Sequence, residues 1–344
     1  MFLKYLSFYH WIWKHRKHNP TPMVIEELCH QFSLASIKKS TNNFDKNQKV
    51  GSGSLGIVYK GCLQLHNDTI DSMVIIKRVH PITDKKLREF RNEIELLCQL
   101  DHPNLVNLFG YCDHKDEKII VYGYNSNGSL YNLLCCKHSS MKPLTWKQRL
   151  KICIGVACGL HYLHTGTKRT IFHCDIQSHK ILLDSNMVPK LSDFWISLQG
   201  PLFTSMPKPK SILNDNIVGS YGYVAPEILE NNKATYKCDA YSFGILLLEV
   251  LCWEKLENVK RQRLPMEENI DENIKGNIAP ECWEIFVDVT KRCLKYDPNE
   301  RPTMGEVEVQ LELALSLQEK ADNNKNINVD NDHYTLSSTT IIDE

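Results

Sequence analysis

The sequence predicts an α+β fold in which a strand-rich first third precedes a mostly helical remainder. Runs rich in β-branched and aromatic residues fall at Val50 to Leu65, Met73 to Val79 and Ile119 to Tyr124. After Thr145 the apolar residues fall mainly in helix-forming runs. Strands grouped first and helices afterwards are the order of an α+β fold. The 344 residues suffice for one large domain or two lobes with a sizeable core.

Taken in order, residues 1–33 form a leader and a linker. Met1 to Trp13 is aromatic and apolar, broken by Lys4 and His10, and the basic run Lys14 to His18 follows. This stretch is shorter than the ~20 residues of a membrane span, and no internal apolar run reaches that length. It also lacks the small-residue cleavage site of a signal peptide. A peripheral membrane anchor and a poorly ordered leader both fit it. The pattern turns globular near residue 34. Leu87 to Leu100 reads as a helix with Leu87, Phe90, Ile94 and Leu97 on one side. Thr145 and Gln148 form a capping box before the helix Leu150 to His164, and Gly166 is placed to end it. Asp239 precedes the apolar run Ala240 to Trp253, and Glu281 to Leu294 repeats at helical spacing. Val307 to Leu317 alternates like a strand. The capping box Thr303 and Glu306 and the good helix formers there predict a helix instead. From Ala321 the Asn, Asp, Ser and Thr content predicts a disordered polar tail over 321–344.

Lys plus Arg equals Asp plus Glu, 41 each, so no net field draws nucleic acid or an acidic membrane. The 13 cysteines show no C-x-x-C spacing, their number is odd, and Cys135 and Cys136 are adjacent. That argues for reduced thiols in the cytosol and against disulfides or zinc. His161 and His164 offer a metal pair or a packed helix face. The absence of a further ligand cluster favours the packed face.

Gly51-Ser52-Gly53-Ser54-Leu55-Gly56-Ile57-Val58 matches G-x-G-x-x-G-x-V, in which bare backbone can approach phosphates. A dinucleotide-binding turn needs a helix directly after the glycines. Ile57 to Gly61 reads as a strand, which favours a hairpin covering phosphates. Val74-Ile75-Ile76-Lys77 matches V-A-I-K. A lysine at the end of a buried strand needs an anion, and Glu93 lies on the inward face of the next helix. Each alone reads equally as a solvated surface charge. Together, behind the glycine hairpin, they fit a pair that positions phosphates.

The ordered set resembles the protein kinase family, and within it the plant receptor-like kinases of the malectin type. The glycine loop, Lys77 and Glu93 are followed by His173-Cys174-Asp175, Asp193-Phe194, Ala225-Pro226-Glu227, Asp239 to Gly244, and Arg301. Ser40 to Phe44 is similar to the segment that precedes the plant kinase domain, and Leu144 to Gly166 is strongly like the corresponding helix. The resemblance covers about residues 30–320. It implies a two-lobed kinase fold, with a small antiparallel β-sheet lobe bearing one main helix (34–122) and a larger, mostly helical lobe (123–320). It implies ATP and Mg2+ as cofactors. Gly51, Ser52, Gly53, Gly56, Val58 and Lys77 would line the nucleotide, with Tyr122 as gatekeeper and Gly123 and Tyr124 as hinge. Asp175 would orient the substrate hydroxyl, Asp193 would hold metal, and Glu227 with Arg301 would form a buried structural pair. Phe194, His173 and Leu97 would belong to an apolar spine.

Four residues depart from the family pattern. Cys174 replaces the Arg of H-R-D, implying control other than by an activation-loop phosphate. Gln177 replaces a lysine that would neutralise the moving phosphoryl group, a kind of loss worth roughly 10²–10³ in rate. Lys180 replaces the second metal-binding Asn and, when charged, has donors only. Trp195 replaces the Gly of D-F-G, where a strained backbone would cost on the order of 1–3 kcal/mol. Thr204, Ser205, Ser211 and Ser220, near Lys208 and Lys210, are candidate phosphorylation sites in the segment 193–227. Two functions follow from the resemblance. One is an ATP-dependent kinase acting on protein Ser/Thr hydroxyls with impaired turnover. The other is a pseudokinase serving as an ATP-binding scaffold or the partner of another kinase. Either would be cytoplasmic, and a peripheral N-terminus would put it at the inner face of the plasma membrane.

Overall fold

The computed structural model of the chain describes residues 29–64, 71–135, 142–202, 210–211, 219–231, 233–253, 265–325 and 334–336. It opens with helix α1 (Leu34–Ser40), capped by Ser33, whose hydroxyl accepts from Ser36 N. The strands β1 (Lys49–Ser52), β2 (Gly56–Gln64) and β3 (Asp71–Val79) follow, then helix α2 (Asp84–Leu97), and then β4 (Leu108–His114) and β5 (Glu117–Gly123). The five strands form one antiparallel sheet in the order β1-β2-β3-β5-β4.

Side-chain alternation along β3 and β5 decides what each sheet face carries. Val74, Ile76, Ile119 and Val121 pack on one face with Phe32, Ile37 and Tyr59, beneath α1. Val79, Ile120 and Tyr122 pack on the other with Phe90, Ile94 and Leu97 of α2. Lys77 has the parity of Val79 and therefore faces α2. Thr83 caps α2 by accepting from Lys86 N, and Asp84 lies in its positive first turn.

The helical part begins with α3 (Leu130–Leu134) and α4 (Trp146–His161), the latter closed by the Thr145–Gln148 capping box. A π-turn, Tyr162–Gly166, ends it. Short strands come next: β6 (Arg169–Phe172), β7 (Ile181–Leu183), β8 (Pro189–Leu191), β9 (Leu198–Leu202) and β10 (Lys210–Ser211). They pair as β6 with β9, β7 with β8, and β10 with β11 (Lys233–Ala234), which follows helix α5 (Pro226–Asn231). Helix α6 (Tyr236–Cys252) is buried on all sides, as its unbroken apolar run demands. Helices α7 (Pro280–Cys293) and α8 (Met304–Lys325) pack beside it and α4. Each fully buried Leu, Ile or Phe here contributes roughly 1.5–3 kcal/mol.

Some expectations hold and others change. The alternating stretch Val307 to Leu317 lies within α8, with Thr303 and Glu306 capping each other. That helix runs past Ala321 to Lys325, and Tyr334 and Leu336 pack on the main core, with Tyr334 N donating to Gly276 O at 2.9 Å. Order also starts before residue 34. Phe32 is buried, and its N–H donates to Tyr111 O at 2.7 Å. His161 and His164 contact Glu308 and Asp239 at 2.8 Å; His164 is buried and packed, and His161 is half exposed. Among the described residues there is no cluster fit for a metal, and the cysteines are free thiols. No described helix is long and apolar enough to cross a membrane. The leader 1–18 and Thr204, Ser205 and Lys208 lie outside the described residues.

Candidate active site

Two hairpins build the site. In the first, β2 places Val58 opposite Lys77, and β5 places Ile120 on the other side of Lys77. Gly51, Ser52 and Gly53 lie at the turn between β1 and β2, closed by Gly53 N donating to Gly56 O at 2.8 Å. A Cβ on Gly51 or Gly53 would meet nothing within 4 Å, whereas one on Gly56 would stand 1.9 Å from Arg78 O. Gly56 is therefore required by strand packing, and Gly51 and Gly53 leave open space. A strand follows the turn, which removes the dinucleotide-type reading.

The second hairpin is β7–β8. Lys180 immediately precedes β7, and Asp193 stands two residues beyond β8. Antiparallel pairing of Ile181 with Leu191 brings these ends together, and Ser192 N donates to Lys180 O at 2.9 Å. Lys180 Nζ lies 2.5 Å from Asp193 Oδ2 and 4.0 Å from Asp175 Oδ2. Lys77 Nζ reaches the other Asp193 oxygen, Oδ1, at 2.5 Å and Glu93 Oε2 at 3.6 Å. Five charged groups, far apart in sequence, thus share one cluster.

Electrostatics follow from this packing. Burial works against the Lys77 ammonium, but Asp193 and Glu93 outweigh it and raise its pKa. Burial pushes the Glu93 carboxyl up, Lys77 offsets part of that, and Asp193 repels it further. Burial also opposes ionisation of Asp193, yet Lys77 and Lys180 together hold its carboxyl well below the usual carboxylate range. Burial, and then the Glu93 carboxylate, push the Tyr122 phenol well above its ordinary value. Gly123 N donates to Asn107 O at 2.9 Å, and Tyr124 beyond it is exposed.

Asp175 is held from below by α6. Asp239, in the first turn of that helix, accepts from His173 N and Cys174 N at 2.8 Å each. Cys174 adopts φ 68° and packs among Phe172, Ala225 and Cys238, so the position of the missing arginine is apolar. Asp175 Oδ1 accepts from Ser220 Oγ at 2.7 Å, Gln177 Nε2 at 3.0 Å and Ser220 N at 3.1 Å. Gln177 also donates to Ser220 Oγ at 2.6 Å. Gln177 therefore supplies a hydrogen bond to this loop and no positive charge.

The expected strain at Trp195 is corrected. The left-handed residue of this segment is Asp193, at φ 67°, and Trp195 takes an ordinary φ. The ring of Trp195 lies near the Lys180 ammonium, 5.4 Å from it. A residue not singled out in the sequence, Asn92, secures the segment. Its Nδ2 lies 2.9 Å from Ser197 O, 3.1 Å from Phe194 O and 3.2 Å from Trp195 O. Its only sequence signal is its place beside Glu93, whose Oε1 accepts from Phe194 N at 3.3 Å. His173 and Phe194 meet edge to face at 4.8 Å.

A phosphate would need the bare backbone at Gly51 and Gly53 and the two ammonium groups of Lys77 and Lys180 as its partners. Mg2+ does not fit between Asp193 and residue 180. Both Asp193 oxygens already meet ammonium groups, and Lys180 offers donors where an oxygen ligand is needed at about 2.0–2.1 Å.

A family model described as protein tyrosine and serine/threonine kinase matches residues 44–311. Among curated proteins of Arabidopsis thaliana, the receptor-like protein kinases ANXUR2 and ANXUR1 are each 41% identical over 296 residues. The receptor-like protein kinase FERONIA is 40% identical over the same length. These matches cover 81% of this chain and about a third of each relative, 33%, 33% and 32%.

Proposed function

Because the chain belongs to the protein tyrosine and serine/threonine kinase family, we propose that it binds ATP in the cleft between the sheet and the helical part, with phosphoryl transfer weak or lost. The Lys180 ammonium on Asp193 carries this reading. In the family's pattern a carboxamide ligand stands at that position, and here a fixed positive charge replaces it. Lys77, braced by Glu93, would take the nucleotide phosphates, and the glycine turn would cover them. Gly123 and Tyr124 would present backbone groups to adenine, behind Tyr122.

In transfer, the bond from the γ-phosphorus to the ADP oxygen breaks and one to a substrate hydroxyl forms, while the hydroxyl proton passes toward Asp175. Oδ1 of Asp175 is engaged by Ser220 and Gln177, so Oδ2 would receive the hydroxyl beside Lys180. With Gln177 in place of a cation, charge on the moving group would lose one stabiliser. The protein would then act through its nucleotide-bound shape, on a partner kinase or a protein substrate held nearby. A place at the cytoplasmic face of the plasma membrane belongs to the same proposal.

Retention of Lys77, Glu93, Asp175 and Asp193 in one cluster favours residual Ser/Thr kinase activity as the second reading. Thermal-shift titration with ATP tests binding, and absence of any shift would end that part. A radiolabelled phosphate assay against Asp175→Asn separates the two readings, since incorporation well above this blank supports an active kinase.

A further inference from the structure

We infer that Lys180 is a built-in cation that takes the place of the divalent metal, so that this protein binds adenine nucleotides without magnesium. The inference rests on the nucleotide-binding reading and adds to it the form in which the nucleotide enters.

The contacts form one unit. Lys180 Nζ touches Asp193 Oδ2 at 2.5 Å and lies 4.0 Å from Asp175 Oδ2, standing where the family's carboxamide would share a metal with Asp193. Asp193 Oδ1 is taken by Lys77 at 2.5 Å. The backbone of Lys180 is pinned, its carbonyl accepting from Ser192 N at 2.9 Å and Ser192 Oγ at 3.0 Å. The Trp195 ring flanks the ammonium at 5.4 Å, where a glycine would leave space for solvent. Trp195 is thus a positioning residue for Lys180. An ammonium held by two carboxylates and an aromatic ring supplies positive charge to a phosphate and repels a second cation. A metal–nucleotide complex entering this cleft would have to displace Lys180 from Asp193. A metal-free nucleotide would not.

Isothermal titration of the full chain with ADP and with ATP, in excess EDTA and in saturating Mg2+, tests this directly. The expected result is equal or tighter binding in EDTA. Electron paramagnetic resonance gives a second readout. Adding the protein to a mixture of Mn2+ and ADP should raise the free Mn2+ signal, because the protein withdraws ADP and leaves the metal. Lys180→Met should weaken ADP binding about tenfold, the effect of losing one charge-assisted contact. Lys180→Asn should make binding depend on Mg2+ by about tenfold or more. Circular dichroism melting checks that both variants fold, and the wild-type arms need neither. Binding confined to the Mg2+ arm, or a fall in free Mn2+ on adding protein, overturns the inference and leaves nucleotide binding standing. Absence of binding in both arms overturns both.

Discussion

Lys180 and Asp193 face each other across the open end of a single hairpin, ammonium to carboxylate at 2.5 Å. They are 13 positions apart in the sequence, and the pairing of Ile181 with Leu191 makes them neighbours. This contact is the centre of the departures from the family pattern, and the Trp195 ring beside it ties a second departure to the first.

The combined change Gln177→Lys, Lys180→Asn and Trp195→Gly should raise radiolabelled phosphate transfer by about 10²–10³ over the parent chain. Single changes should recover little, because the three residues surround one reacting group and act together. A triple variant that folds and yet transfers no more than Asp175→Asn would place the defect elsewhere.

Asp193 should give the protein an acid-sensitive component of stability. Its carboxyl is held below its ordinary value, so its contribution is complete above about pH 4 and is lost as pH falls through the lower folded value. Glu93 runs the other way, because burial raises its carboxyl and its contribution declines as pH rises. The comparison with Lys180→Met isolates Asp193, since only one of its two ammonium partners remains. The stability difference between the two proteins, read from urea melts, should be level above about pH 4 and shrink below it. A difference that grows on acidification would refute the assignment.

Arg301→Ala should destabilise the chain by about 3–5 kcal/mol, as for one partner removed from a buried ion pair. The Arg301 guanidinium is fully buried, grips Glu227 at 2.7 and 2.8 Å, and donates to the carbonyls of Lys295, Tyr296 and Lys237. Denaturant unfolding measures the loss, and a change under 1 kcal/mol would mean that the pair is replaceable by solvent.

Asn92→Ala should release the segment after Asp193 while leaving α2 folded, because the three carbonyls it serves all lie in residues 194–197. Hydrogen–deuterium exchange should quicken there by about tenfold, the equivalent of about 1.4 kcal/mol of local protection. Unchanged exchange would show that Phe194 packing alone holds the segment.

In the native protein, thiol labelling should strike Cys62 and Cys135 first among the described cysteines, since these two are exposed. Burial pushes Cys153, Cys282 and Cys293 up to about 12, leaving almost no thiolate at neutral pH. Peptide mapping after brief alkylation checks the order, and early modification of Cys153 would contradict the packing of α4.

Much of this was legible in the chain. A lysine ending the apolar run Val74 to Ile76 predicts a buried anion as its partner, and the 3.6-residue period of Leu87 to Leu97 predicts that Glu93 turns inward. Capping boxes at Thr145 and Thr303 mark helix starts correctly because they are contacts within four residues. The strand β4 and the short helix α3 were not legible, as neither has a strong period of its own. Asn92 carries no local signal, because its partners lie about 100 residues away. Strain was expected at Trp195 and falls on Asp193, because the backbone angle of a turn is set by the contacts closing it and not by one residue's bulk.

Local order and family membership belong to the sequence by itself, since periodicity, caps and spaced motifs are properties of neighbouring residues. What only the tertiary structure decided is where the charges go. Lys180 could have reached solvent or a phosphate. Antiparallel pairing of β7 with β8 and the partly buried carboxylate of Asp193 instead hold its ammonium in place, because a carboxylate drawn partly out of water favours the nearest cation the fold can bring to it.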